Sequence, residues 1–149
     1  MTDVTLITNL LYRYAELMDL GDFRGAAGLF AKARLRVGHR GEGDEYYVDA
    51  SGMCAIWETT VVRYPDGTPR TKHVTTNPIV EVDVAAGTAT VRSYYTVFQQ
   101  VDDFGLQPVI SGRYHDRFAK IDGTWHFVER DYTLVDLIGD VSRHLTIAL

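Results

Sequence analysis

The chain has 149 residues, 46% of them hydrophobic and 23% charged, with a net charge of −5. That is one ordinary domain with enough apolar residues for a core of its own, which excludes a disordered or fibrous class. The acidic balance and the lack of any Lys/Arg run speak against nucleic acid or an anionic membrane surface as partner, leaving small molecules and other proteins.

The N-terminal stretch has no basic start and no small-residue cleavage site, so no export signal and no transmembrane span are expected. Its apolar residues Ile7, Leu10, Leu11, Tyr14, Leu17 and Met18 recur at helical spacing, which predicts a helix over about residues 3 to 20 with one buried stripe. Asp19 falls in the last turn of that helix, where the macrodipole disfavours a carboxylate by about 0.3 to 1 kcal/mol. It lies at the flank of the stripe, a place that is either exposed or the rim of a cavity. Asp22 has a local reason to be acidic, since it precedes "FRGAAGLF" and can cap a second helix.

"ARLRVGHRGEGDEYYV" reads as two short strands around a Gly-rich turn. "DASGMCAIWETTVVRY" predicts a short helix capped by Asp49 or Ser51 and closed by the turn "PDGTP". The single cysteine, Cys54, has no disulfide partner and no second thiol for a metal, which fits a reducing cytoplasm. From residue 71 onward four long runs rich in Val, Thr, Tyr and Phe are divided at "AAG", "DDFG" and "IDG", the joints of an antiparallel meander. Helices followed by such a meander predict an α+β fold with the helices on one face of a curved sheet, a single domain over residues 1–149. Strands of about 12 to 15 residues must bend, and Pro78 and Gly112 are the expected places.

His73 stands near the start of the first long strand, and histidine is the side chain suited to proton transfer near neutrality. Strict alternation puts it on the face opposite Val74, Thr76, Val80, Val82 and Val84, and a bulge at Asn77 and Pro78 would reverse that relation. "SGRYHDRF" sets Arg113, His115 and Arg117 on one parity and Tyr114, Asp116 and Phe118 on the other, and one of these sets lines any cavity. His39, His126 and His144 carry weaker signals, His126 being expected on the outer face. No short-spaced ligand pair exists, so no metal is expected, and GxSxG, Walker and GxGxxG motifs are missing.

"LLYRYAELMDLGDFRGAAGLFA", "TKHVTTNPIVEV" and "SGRYHDRFAKIDGTWHFVERD" together resemble the SnoaL-like branch of the nuclear transport factor two-like superfamily, over about residues 5 to 135. That branch looks similar to polyketide cyclases, scytalone dehydratase and hexachlorocyclohexane dehydrochlorinase. The resemblance implies a cone of curved sheet closed by the N-terminal helices around an apolar pocket. It also implies roles. In the dehydratase and the dehydrochlorinase a strand histidine is the general base and an aspartate at the end of the first helix orients it, and these positions match His73 and Asp19. Scytalone itself is not the implied substrate, because the dehydratase's two tyrosines fall at Met18 and Gly38 and its second histidine falls nearest Ser111. The base aspartate of ketosteroid isomerase also falls at Gly38, although its helix tyrosine matches Tyr14.

The implied activity is that of a cofactor-free lyase, a dehydratase or dehydrohalogenase, acting on a small hydrophobic cyclic or aromatic molecule. Tyr14, Trp57, Tyr95, Arg113 and His115 are the candidate pocket residues. A non-catalytic small-ligand module and a polyketide cyclase or isomerase are the alternatives, since one fold hosts many functions. Apolar residues on both parities of "VRSYYTVFQ" predict a homo-oligomer, a trimer or a dimer, built on the outer face of the sheet.

Overall fold

The structure is a computed structural model and describes residues 1–38 and 46–149. His39 and the Gly-rich turn lie outside the described residues. Helix α1 spans Asp3–Asp19, with the Thr2 hydroxyl accepting from the Thr5 N–H at its start. The predicted stripe is its core face: Ile7, Leu11, Tyr14 and Met18 are buried, and Leu10 and Leu17 pack against them. The helix ends sharply. The Gly21 N–H donates to Met18 O and the Asp22 N–H to Leu17 O, and Gly21 has φ +76°, which together form a Schellman stop. A Cβ on Gly21 would also lie 2.2 Å from the Gly67 carbonyl oxygen, so both conformation and space require glycine. This stop fixes Asp19 as the last helical residue.

Asp22 caps α2 (Phe23–Gly28) through the Gly25 N–H, and Asp49, the first of the two candidates, caps α3 (Ala50–Thr60) through the Gly52 N–H. Between them β1 (Arg34–Arg36) and β2 (Tyr47–Val48) pair antiparallel, as the two short runs predict. The four long runs are β3 (Thr71–Asp83), β4 (Thr88–Val101), β5 (Phe104–Ile121) and β6 (Thr124–Asp131), consecutive and antiparallel. Two features differ from expectation. β1 joins the edge of β6 in parallel, which makes the sheet mixed, and a further strand, β7 (Val135–Ile138), pairs with the other half of β5.

The curved sheet wraps the helices, and its inner face carries Val80, Val82, Ala89, Val91, Tyr95, Val97, Tyr114, Phe118 and Phe127 into the common core. Bulges decide what faces inward. The β3–β4 register slips between Thr76 and Ile79, and Asn77 has φ +57°, so the odd residues of β3 point inward before the bulge and the even ones after it. Val74 and Thr76 therefore lie outside while Val80 and Val82 lie inside, and His73 points inward with its register partner Val97. The β4–β5 register is unbroken at Gly112 and slips near Val109, where Ile110 pairs with Val97 and Pro108 with Phe98, while the β5–β7 register does slip between Ser111 and Gly112, an expected place. Glycine serves another purpose at 112. A Cβ there would lie 2.8 Å from the Tyr95 hydroxyl and 2.5 Å from the Leu134 carbonyl oxygen, so the Tyr95 ring needs the space.

Candidate functional site

Asp19 and His73 meet where the stopped end of α1 crosses β3. His73 Nδ1 is 2.6 Å from Asp19 Oδ1, and the side chains are only 8% and 12% exposed. The same carboxylate accepts from the Thr71 hydroxyl at 2.9 Å and, through Oδ2, from the His73 backbone N–H at 2.9 Å. These contacts account for an acid at a helix C-terminus. Hydrogen bonds to a charged group contribute about 1.5 to 3 kcal/mol each, more than the roughly 0.3 to 1 kcal/mol lost to the dipole. With Oδ1 against Nδ1, the neutral imidazole carries its hydrogen on Nδ1 and leaves Nε2 as an acceptor turned away from Asp19.

The inner surface beyond His73 is a wall of rings. Tyr14 meets His73 edge-on with centroids 6.2 Å apart, Trp57 lies 6.0 Å from Tyr14, and Tyr95 stacks on Tyr114 at 4.4 Å. Tyr14, Trp57 and Tyr95, three of the predicted pocket residues, are thus brought together with the His73 ring, and Tyr114 and Tyr132 complete the wall. Burial pushes the Tyr95 hydroxyl up to about 12 and raises Tyr14 and Tyr114 as well, so the wall is neutral.

Its centre is not apolar, contrary to the expected pocket. Arg130 is fully buried and forms a two-pronged pair with Asp116, Nε to Oδ1 at 2.7 Å and Nη2 to Oδ2 at 3.0 Å. Its guanidinium lies 3.7 Å from the Tyr114 ring centroid and 4.6 Å from that of Tyr14. Neither residue is among the sequence candidates. A signal existed for Asp116, which shares a parity with Tyr114 and Phe118. Arg130 reaches the interior only because β6 slips register at Val128, with Phe118 opposite Phe127 but Asp116 opposite Arg130.

Arg113 and His115, expected to line the pocket, lie outside the interior. They occupy the other parity of β5, which is the outer face: Arg113 pairs with Asp136 at 2.9 Å, and His115 is exposed opposite Arg92. His115 lines an outer groove of about 420 Å³ together with Ile79, Glu81, Arg92 and Arg117. A second groove, of about 340 Å³, reaches Asp19 and Thr71 from outside along Arg70, Lys72 and Gln99. Among the described residues no group of three or more His, Cys, Asp or Glu could hold a metal ion.

His144 is the residue whose signal was too weak. It lies in the C-terminal segment, 6% exposed, with its ring centroid 6.5 Å from that of His73 and the planes at 74°. Burial, then the neighbouring His73, push its pKa down to about 4, with Asp19 opposing. A histidine that titrates near 6.5 unfolded and near 4 folded binds more protons unfolded between those values, so its contribution is full above pH 6.5 and is lost as pH falls toward 4. Wild-type stability measured by denaturant should therefore fall by roughly 3 kcal/mol across that window relative to His144→Phe. Parallel pH profiles of the two proteins would exclude a buried neutral imidazole.

A variant of Rv3472, a Mycobacterium tuberculosis protein of unknown function, superposes with TM-score 0.68 at 24% identity, over 99% of this chain and 78% of that one. A candidate scytalone dehydratase from Novosphingobium aromaticivorans gives 0.68 at 19% identity, over 93% and 87% of the two chains. The beta subunit of a candidate aromatic-ring-hydroxylating dioxygenase from the same organism gives 0.67 at 19% identity, over 96% and 95%. At these identities the likeness is one of fold, the cystatin-like, nuclear transport factor two-like cone. Among curated proteins none matches the chain. A model of the SnoaL-like domain runs from the first residue to the last of β6, residues 1–131, and so the chain belongs to the SnoaL-like domain family.

Proposed function

We propose that the protein is a cofactor-free lyase that eliminates water or halide from a small, largely hydrophobic cyclic or aromatic molecule, with His73 as base and Asp19 as its orienting partner. The single observation that carries this reading is the 2.6 Å contact between Asp19 and His73 Nδ1, held by two further donors to the same carboxylate. Nε2 takes the proton from a carbon next to a carbonyl or next to the carbon bearing the leaving group. The C–H electron pair becomes the new double bond, and the C–O or C–halide pair departs with the leaving group. A departing hydroxyl takes the proton back from the imidazolium to leave as water, and a halide leaves that proton to solvent. Asp19 holds the tautomer and stabilises the imidazolium that forms. Tyr14 and the rings behind it orient a flat substrate and keep water from the base.

A panel of cyclic β-hydroxy ketones and cyclic halides tests the reading. Release of the unsaturated product with water or halide supports it. A panel that is bound but never turned over favours the second reading, a non-catalytic small-ligand module.

The working molecule is proposed to be a homo-oligomer, a dimer or trimer, assembled through the outer face. There Val74, Thr96, Ser111 and Leu137 form one row across β3, β4, β5 and β7, with Leu137 69% exposed and Tyr94 beside the row 54% exposed. Light scattering at micromolar concentration should report two or three chains per particle, and a single-chain mass would refute this. No helix among the described residues is long and apolar enough to cross a membrane. The reducing cytoplasm suggested by the lone Cys54 is the proposed compartment.

A further inference from the structure

We propose that His144 is the second polar group of the substrate site, a neutral imidazole that donates its N–H to a hydroxyl or carbonyl oxygen carried by the bound ring. The inference rests on the reading that His73 faces the substrate. It starts from the donors left unpaired in the interior. His73 uses Nδ1–H on Asp19, and its Nε2, as the base, carries no hydrogen. An oxygen on the substrate must then be met by another side chain. The Tyr132 hydroxyl and Arg130 Nη1 are also buried without a partner among the described residues, but it is His144 whose ring contacts that of His73.

The His144 ring packs against that of His73, and its Nδ1 is buried and makes no hydrogen bond among the described residues. The segment is held by its backbone instead. The His144 N–H donates to Val141 O, the His144 carbonyl accepts from the Val62 N–H, and the Thr146 N–H donates to Thr60 O. On either side of the histidine, Arg143 O accepts from Gln99 Nε2 at 3.0 Å and from the Tyr64 hydroxyl, and Leu145 bridges to Val61. A phenylalanine of the same outline would fill the place without an unpaired buried nitrogen, which costs free energy wherever no partner is gained. The groups facing the ring are His73 from β3 and Asp19 from α1. Its pKa of about 4 keeps it uncharged at neutrality, so it acts by hydrogen bonding and leaves the proton transfer to His73. The edge-to-face setting of the rings, with centroids 6.5 Å apart, lets both address one small planar ligand.

The probe is phenol, which puts one oxygen on a flat ring and stays uncharged at neutral pH, its affinity being read by calorimetry. The full chain, with ¹⁵N-labelled histidine, is titrated as wild type, His144→Phe and His144→Gln. In the wild type the His144 ring N–H should move downfield on saturation. His144→Phe should weaken binding about tenfold or more, the effect of one good hydrogen bond, and His144→Gln, which keeps an N–H, should recover part of it. Equal affinity in wild type and His144→Phe, an unmoved His144 resonance at saturation, or no wild-type binding at millimolar probe would each overturn the proposal. Should His144→Phe fail to fold, the wild-type resonance and His144→Gln still decide. Failure of the lyase reading looks different: the probe binds through His144 and no ketone or halide is consumed.

Discussion

His73→Ala is expected to lower turnover by about 10² to 10⁴-fold, the usual contribution of a positioned general base, and also to lower the melting temperature, since Asp19 loses one of its three donors. Asp19→Asn is the sharper experiment. Asparagine keeps the shape, but its amide hydrogens can point where His73 Nδ1–H, the Thr71 hydroxyl and the His73 backbone N–H all need an acceptor. It also withdraws the charge that favours the imidazolium. If the two side chains act as one unit, both single variants and the double variant should lose turnover by similar factors, because losses within one unit are strongly non-additive. Turnover on a panel substrate, with the melting temperature recorded for each variant, makes the comparison. Additive losses would assign two separate roles. Unchanged turnover in both variants would return Asp19 to a helix end that merely ties α1 to β3.

The meeting of Asp19 and His73 was legible because each residue broke a local rule. Asp19 opposes its own helix dipole, and His73 stands in a strand whose other inward residues are apolar or small; the resemblance to the dehydratase branch then joined the two positions. The elements were legible for ordinary reasons: a 3.6-residue stripe in α1, aspartate caps before α2 and α3, and turn residues between the long strands. What was not legible followed from bulges and from chain segments far apart in sequence. One extra residue at Asn77 turns His73 inward, and this reversal was foreseeable from Pro78. The slip at Val128 has no such marker, so strict alternation would leave Arg130 outside with His126 when it is the most buried cation among the described residues. His144 becomes visible only when the C-terminal segment folds back on the end of α3, a contact no periodicity announces. Arg113 and His115 were candidates because the parity of one strand could not be chosen from its own residues, and the Asp116 partnership with Arg130 is what chooses it.

That partnership gives the largest stability effect. Asp116→Ala leaves Arg130 charged, since a guanidinium does not give up its proton, and surrounded by five aromatic rings with no carboxylate to meet it. Breaking a buried pair in this way costs about 3 to 5 kcal/mol, a large part of the roughly 5 to 15 kcal/mol that holds a domain together. For a chain of this size a fall in melting temperature of about 10 °C or more is expected. Arg130→Met should cost less, because the stranded Asp116 can take up a proton, and burial already raises its pKa. The double variant Asp116→Leu/Arg130→Met should be near neutral or better, as buried pairs replaced by apolar side chains of similar volume commonly are. Denaturant unfolding of the three variants checks the order, and a double variant as unstable as Asp116→Ala would mean that the pair contributes net stability. Turnover then separates packing from chemistry. Arg130 touches Tyr14, and Tyr14 touches His73, so a double variant that folds well yet loses turnover would show that the buried charge positions the wall on which His73 rests.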